Sequence, residues 1–478
     1  MSSIKNKAVK GVFWSFIDKA LGQTVTLLVI VVLARELTPS DFGLVGMLAI
    51  FIAISEAFIN GGFVSALIQK QNRKERDFST VFISNIVISC LLYILLYFFS
   101  PYIASFYGQP QLTELARVIF CSLILNALYV TKETRLVIGL RFKVISLINI
   151  TSLIISSICA VALAFGDFGV WALVLQSIIR SALMAGMYFI IVREREKLVF
   201  STESFNTLFS FGSKILIQSI ISKLVNNLYP LFIGRVFSAH AVGNFMYGQR
   251  ITSIVSNTIS NITQRVTFPL LSSIQDERDK LLSVYKKIIM LVAFVTFPVM
   301  CGLALIAEPF VKVFLTEKWL EAVPIIQWLC LATMLTPIGV ANLNILNAIG
   351  SSDRFLKASL ISLGIGLLIL FISVDYGFEA LVIGRFITAL CGYFVNSYYP
   401  GVLFGYGAFK QISDLSPIIV ITAFMSFGVY SVQIEDPIFD LIFSILVGAG
   451  VYISLSYFGN LQAFNDIKSL FKTSQHKK

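Results

Sequence analysis

Ten of the charged side chains that lie within otherwise apolar stretches or at their rims have the most capacity for chemistry. Asp18, Lys19, Glu56, Arg180, Lys214, Lys223, Arg250 and Arg385 fall inside such stretches; Arg117 and Lys132 fall near the ends of another. An ionised group is costly in hydrocarbon and normally faces protein or water. Lys214, Lys132 and Arg117 can reach an interface by extending their aliphatic stems; Arg385, some six residues into its span, is open to that or to a site role. Arg180 and Lys223 lie near mid-depth, and Lys19 and Arg250 are intermediate. Asp18 and Lys19 are adjacent, so on a helix they point about 100° apart and at least one needs another partner. The deep set is mostly cationic, whereas self-neutralising structural pairs predict near equality of sign. Such an excess around a polar cavity predicts an anionic cargo. Arg and Lys both suit phosphate oxygens, one as a planar fork and the other as a mobile point charge. Lys19, Arg180, Lys223 and Arg250 are therefore candidate binding residues. Gln23 and Asn227 are among the neutral groups that could line a wet path and meet hydroxyls, although helix–helix hydrogen bonding is the plainer reading of each alone. Asp18 and Glu56 are the acids best placed for proton or sodium coupling, or for service as static counter-charges.

Reactive constellations are missing from the sequence. It holds no Walker motif, no nucleophile elbow and no histidine–carboxylate set. The cysteines at 90, 121, 159, 301, 330 and 391 all lie in apolar stretches without metal-ligand spacing, and the two histidines are His240 and His476. The expectation is a non-enzyme without metal or cofactor. Transport energy would then come from a proton or sodium gradient, the cargo gradient or a partner.

Elements that could position these residues follow from composition. Hydrophobic residues make up 57% of the 478 and charged residues 13%, against roughly 25% charge in soluble proteins. Long runs so poor in charge read as membrane spans, each a helix because hydrocarbon cannot satisfy a backbone group. Fourteen are expected, near 11–34, 43–66, 79–100, 113–135, 144–165, 170–192, 211–233, 241–263, 284–307, 320–343, 356–374, 379–400, 415–433 and 438–459. The first is too long for a cleavable signal and lacks a small-residue cleavage site. With the N-terminus in the cytoplasm, the inside connections hold 25 Lys and Arg and the outside ones four. This bias supports an even span count with both ends inside, and it places the net charge of +11 in topology signals rather than in a nucleic-acid site. Segment 264–283 is expected to lie partly at the interface as an amphipathic stretch.

The spans repeat. Residues 11–43 and 212–243 share a layout: an apolar span, then Arg35 or Arg235, then the pairs Phe42–Gly43 or Val242–Gly243, then another span. Six spans separate the two starts, so the halves are expected to be parallel repeats. The expected plan is an N-terminal lobe at 1–192, a linker at 193–210, a C-terminal lobe at 211–400, and two further helices with a basic tail at 401–478. The fold class is all-α polytopic, two six-helix lobes around a central cavity plus two helices. Lys223 and Asn227 share a helix face, and Pro230 can bend that helix.

Several short stretches carry a family resemblance: Lys10–Trp14, Leu33–Gly43, Gly62–Gln69, Asp77–Phe82, Phe165–Trp171, Phe211–Lys214, Phe268–Gln275 and Glu317–Trp319. In order and spacing the chain resembles the polysaccharide exporters of the multidrug/oligosaccharidyl-lipid/polysaccharide flippase superfamily, in particular the colanic acid and teichuronic acid exporters. The resemblance implies fourteen helices in two lobes that turn an undecaprenyl-diphosphate-linked oligosaccharide from the cytoplasmic to the outer leaflet by alternating access. It implies that Lys19, Arg180, Lys223 and Arg250 engage the diphosphate while the lipid tail stays among membrane lipid. Downstream polymerase or ligase proteins would take the product. A small-molecule or drug antiporter is the alternative, and a carrier of organic cations would want deep acids rather than deep cations.

Overall fold

The computed structural model of the chain describes residues 2–193, 198–432 and 434–475. Residues 194–197 of the expected linker and 476–478 of the basic tail lie outside the described residues. The first helices are α1 (Ser2–Glu36), α2 (Pro39–Glu56), α3 (Phe63–Gln69), α4 (Glu75–Tyr107), α5 (Leu112–Ile119), α6 (Cys121–Ile138), α7 (Phe142–Phe165), α8 (Val170–Ile191) and α9 (Thr202–Val236). Then come α10 (Ala239–Ser272), α11 (Arg278–Leu305), α12 (Ala307–Phe314), α13 (Ala322–Thr333), α14 (Thr336–Ala348), α15 (Ser352–Val374), α16 (Phe378–Phe404), α17 (Ala408–Tyr430), α18 (Pro437–Phe458) and α19 (Gln462–Gln475).

Among the described residues, 13 helices or broken helices are long and apolar enough to cross a membrane. They account for every expected span but one. That span, near 241–263, is α10, whose length suffices but whose Ser, Thr, Asn and Gln content lowers its hydropathy. Three spans cross in pieces. The second is α2, a wide π turn at Ala57–Gly61 and α3. The fourth divides at Phe120 into α5 and α6. The tenth divides into α13 and α14, where Pro337 sits in the first turn of α14 and its missing N–H costs nothing. The expected interfacial stretch at 264–283 is not a separate element. Helix α10 continues to Ser272 with Pro269 inside it, and α11 starts at Arg278. The tail holds a further helix, α19, which turns back so that Ala463 and Phe464 pack on the core of α11 and α17.

Short turns explain how consecutive spans reverse. Between α1 and α2, the Thr38 hydroxyl accepts from Asp41 N at 3.3 Å, and Thr38 N donates to Asp41 Oδ2 at 2.8 Å. This reciprocal cap satisfies two orphan donors at once. Half of this device recurs 200 residues later, where Ser238 Oγ accepts from Ala241 N at 3.1 Å while Ala241 offers no carboxylate in return.

By packing, the chain forms two units, Met1–Gly243 and Asn244–Lys478. These units do not coincide with the repeated halves of the sequence. Helix α9, the seventh span, packs on α2, α3 and α4 of the first unit. Glycines make this possible: a Cβ on Gly212 would come within 2.6 Å of the Gly62 carbonyl oxygen. The start of α9 is fastened as well. Glu203 pairs with Arg76 at 2.9 Å, Ser201 N donates to Thr80 Oγ1 at 3.1 Å, and Phe205 packs on Phe63. The second unit has its main core where α11, α14, α16 and α17 meet, around Tyr285, Ile338, Ile345 and Tyr406.

Candidate functional site

In the N-terminal unit, charged groups from five helices form one linked cluster, three of them around Tyr129. The hydroxyl of Tyr129 lies within electrostatic range of Glu56, Glu133 and Arg180. Asp18, on α1, accepts from Asn149 Nδ2 at 3.3 Å and lies within range of Arg180 and Glu133. Glu56, at the end of α2, accepts from Asn126 Nδ2 at 3.4 Å and lies within range of Lys223 on α9. The Tyr188 hydroxyl is set against Glu133, and its ring stacks on Tyr129 with centroids 5.3 Å apart.

Helical spacing puts these groups on shared faces. Asn126, Tyr129 and Glu133 are separated by three and four residues on α6, and Arg180 and Tyr188 by eight on α8. Glu56 stands at the junction with the π turn, where the wider helix frees backbone groups and re-aims the side chains beside it. Arg180 and Lys223 are exposed although each stands several turns from either end of its helix.

The structure thus brings together four of the sequence candidates, Asp18, Glu56, Arg180 and Lys223. It adds Glu133, which sequence reasoning missed. Glu133 sits in the run Thr131–Arg135, where its neighbours read as a charged span end; its spacing from Asn126 and Tyr129 was the available signal. With it, the cluster holds three acids against two cations, so the deep charges here are more balanced than the sequence reading counted. Lys19 is exposed beside Asp18, and Gln23 is half-buried about a turn further along α1. The Asn227 amide donates to the Lys223 carbonyl oxygen at 2.8 Å, on its own helix. Arg250 is exposed and belongs to the second unit.

Two residues expected to snorkel do otherwise. Lys132 is 4% exposed; its Nζ donates to the Val192 carbonyl oxygen at 3.2 Å and lies 4.7 Å from the Phe189 ring centre. It caps the end of α8 instead of reaching water. Arg117 lies over the Tyr97 ring at 4.5 Å and donates to Ser100 Oγ at 3.1 Å.

Membrane-length helices in this number, with ionisable groups set within them, define a multi-pass membrane protein. The chain belongs to the family of polysaccharide biosynthesis proteins, whose match spans residues 32–324. It is 27% identical over 356 residues to the teichuronic acid biosynthesis protein TuaB of Bacillus subtilis (strain 168), covering 74% of each chain. It is 24% identical over 340 residues to the lipopolysaccharide biosynthesis protein WzxC of Escherichia coli (strain K12), covering 70% of this chain and 69% of the relative. Its fold is similar to that of the lipid II flippase MurJ in an inward closed conformation, with a TM-score of 0.74 and 17% identity over 94% of this chain and 98% of that one.

Proposed function

We propose that the chain is a flippase that moves an undecaprenyl-diphosphate-linked oligosaccharide from the cytoplasmic to the outer leaflet of a bacterial inner membrane. It works by alternating access, with both termini in the cytoplasm. One observation carries this reading: Arg180, Lys223 and Arg250 are exposed on membrane-length helices of a polysaccharide biosynthesis protein. An exposed cation at mid-depth is stable only against water or an anionic partner. Lys19, Arg180, Lys223 and Arg250 engage the diphosphate in place of its hydration, while Gln23 and Asn227 offer hydrogen bonds nearby. The prenyl tail stays among membrane lipid, and the exported sugar passes to a polymerase or ligase. Asp18 and Glu56 bind and release the coupling proton or sodium ion.

The test is export in a deletion strain complemented with Lys223→Ala or Arg250→Ala. Both variants should insert and fold, lose export at least tenfold, and accumulate lipid-linked oligosaccharide, whose mass identifies the cargo. Normal export by both would remove these residues from the site.

A second reading is favoured by the acids. Asp18, Glu56 and Glu133 around Arg180 and Lys223 form a cluster that an ion-coupled small-molecule or drug antiporter could use. A deletion strain that became drug-sensitive, without accumulating lipid-linked intermediates, would select that reading.

A further inference from the structure

Helix α10 presents three different faces. One packs: Thr252, Ser256, Thr263 and Thr267 are at most 5% exposed, and Ser256 Oγ donates to the Thr333 carbonyl oxygen at 3.0 Å. A second is apolar and exposed, at Ile262 (60%) and Val266 (57%), as a lipid-facing surface should be. The third is polar. Arg250, Ser253, Asn257, Asn261 and Gln264 follow one another at intervals of three and four residues, so they form one stripe. Asn257 and Gln264 are exposed and Asn261 is half-buried. Among the described residues, none of these three amides has a protein hydrogen-bond partner.

Because the helix already has a separate apolar exposed face, the amide stripe is not the part turned to lipid. Unsatisfied amides in hydrocarbon cost several kcal/mol each. The stripe must therefore meet water or a polar cargo. A primary amide carries two donors and an acceptor, which matches hydroxyls on adjacent carbons, each both donor and acceptor. The corresponding positions of α2 and its continuation, 200 residues earlier, are Ile50, Ala53, Ala57, Gly61 and Val64, so this polar face belongs to the second unit alone.

We propose that Asn257, Asn261 and Gln264 form a rail for the glycan of the cargo and set which glycans are carried. Arg250 stands at one end of the stripe, where the diphosphate is held, and the three amides follow the chain of sugar rings over the last half, about 10 Å, of its length of about 21 Å. This rests on the flippase reading above and assigns the glycan's contacts within it.

The test compares two synthetic cargoes in proteoliposomes, an undecaprenyl diphosphate bearing one N-acetylhexosamine and one bearing a tetrasaccharide. In Asn257→Leu/Asn261→Leu, transport of the tetrasaccharide lipid should fall about tenfold while the single-sugar lipid stays within about twofold of wild type. Asn257→Ser/Asn261→Ser, which keeps the face polar and guards against misfolding, should fall between. Equal loss of both cargoes, or loss of neither, would overturn the rail. Chain-to-chain cross-linking through Asn257→Cys in native membranes would overturn it too, because the face would then join two copies. Wild-type protein inactive on both cargoes would instead reject the flippase reading itself.

Discussion

Gly43 and Gly243 occupy reciprocal positions. A Cβ on Gly43 would meet the Ala239 carbonyl oxygen at 1.7 Å, and a Cβ on Gly243 would meet the Pro39 carbonyl oxygen at 1.8 Å. Both residues and both oxygens are offset by the same 200 positions. The first turns of α2 and α10 therefore cross about a local two-fold axis, and each turn is started by the same kind of hydroxyl cap, Thr38 or Ser238. The sequence repeat is visible here as a physical contact.

That contact leaves no room for a methyl group on either glycine. The opposing atoms are backbone, so no rotamer change can relieve the overlap. Gly43→Ala or Gly243→Ala should each destabilise the protein by about 3 kcal/mol. Gly22 on α1 is the control, since a Cβ there meets nothing within 4 Å. Gly22→Ala should be neutral or stabilising by about 0.5–1 kcal/mol. Melting of the purified protein in detergent measures all three, and equal Tm values for Gly43→Ala and Gly22→Ala would contradict the crossing.

Glu56 is the acid whose surroundings most suit coupling, with Asn126 as its hydrogen-bonded partner and an exposed cation in range, Lys223. Glu56→Gln keeps the size and the ability to meet Asn126 but cannot change charge. The variant should still carry cargo down its own gradient yet lose at least tenfold of the gradient-driven rate. Transport by proteoliposomes with and without an imposed proton or sodium gradient reads this directly. A Glu56→Gln protein as responsive to the gradient as wild type would assign the carboxylate a static role.

Much of this fold was legible in the sequence because membrane helices advertise themselves by length and apolarity. The repeated pairs Phe42–Gly43 and Val242–Gly243 stood out by their common offset. Three features were not legible. Helix α9 begins the second repeat in the sequence yet packs with the first unit, because Gly62 and Gly212 let two backbones touch, and pairing between distant glycines leaves no local pattern. Glu133 was masked by Lys132 and Arg135, whose charges look like a span end, although Lys132 points back to Val192. Helix α19 was read as a basic tail because its few apolar residues only make sense once the core they cover is known.

Where the last turn of α6 meets the start of α4, Arg135 tests how much a partly exposed ion pair matters. Its guanidinium donates to both Glu75 carboxylate oxygens, at 3.1 and 2.6 Å, and lies 3.9 Å from the centre of the Phe78 ring. Arg135 is nearly buried while Glu75 is open to solvent. Exposure weakens the charge attraction, but the stacked ring and the fork geometry do not depend on salt. Arg135→Lys should cost about 1 kcal/mol through lost stacking and bidentate geometry, and Glu75→Gln less. Thermal melts at low and high salt separate the two: a cost of Arg135→Lys that vanished at high salt would make it purely ionic.

Two buried asparagines make opposite predictions from the same chemistry. In the second unit, Asn342 is fully buried and fully engaged. Its Oδ1 accepts from Tyr285 and, at 3.1 Å, from Gln411 Nε2, and its Nδ2 donates to Gln411 Oε1 at 3.3 Å. Asn342→Leu leaves the Tyr285 O–H without its acceptor and Gln411 Oε1 without its donor, while Gln411 Nε2 still donates to Tyr285 Oη at 3.2 Å; each group so stranded costs about 1–3 kcal/mol. In the first unit, Asn85 on α4 is also fully buried, but among the described residues neither its Oδ1 nor its Nδ2 has a partner. Asn85→Leu strands nothing that was paired and removes two unsatisfied polar atoms, so it should leave stability unchanged or raise it by about 1–3 kcal/mol. The pair belongs in one melting experiment. Opposite signs are expected, and a comparable loss at both positions would mean that Asn85 is paired after all.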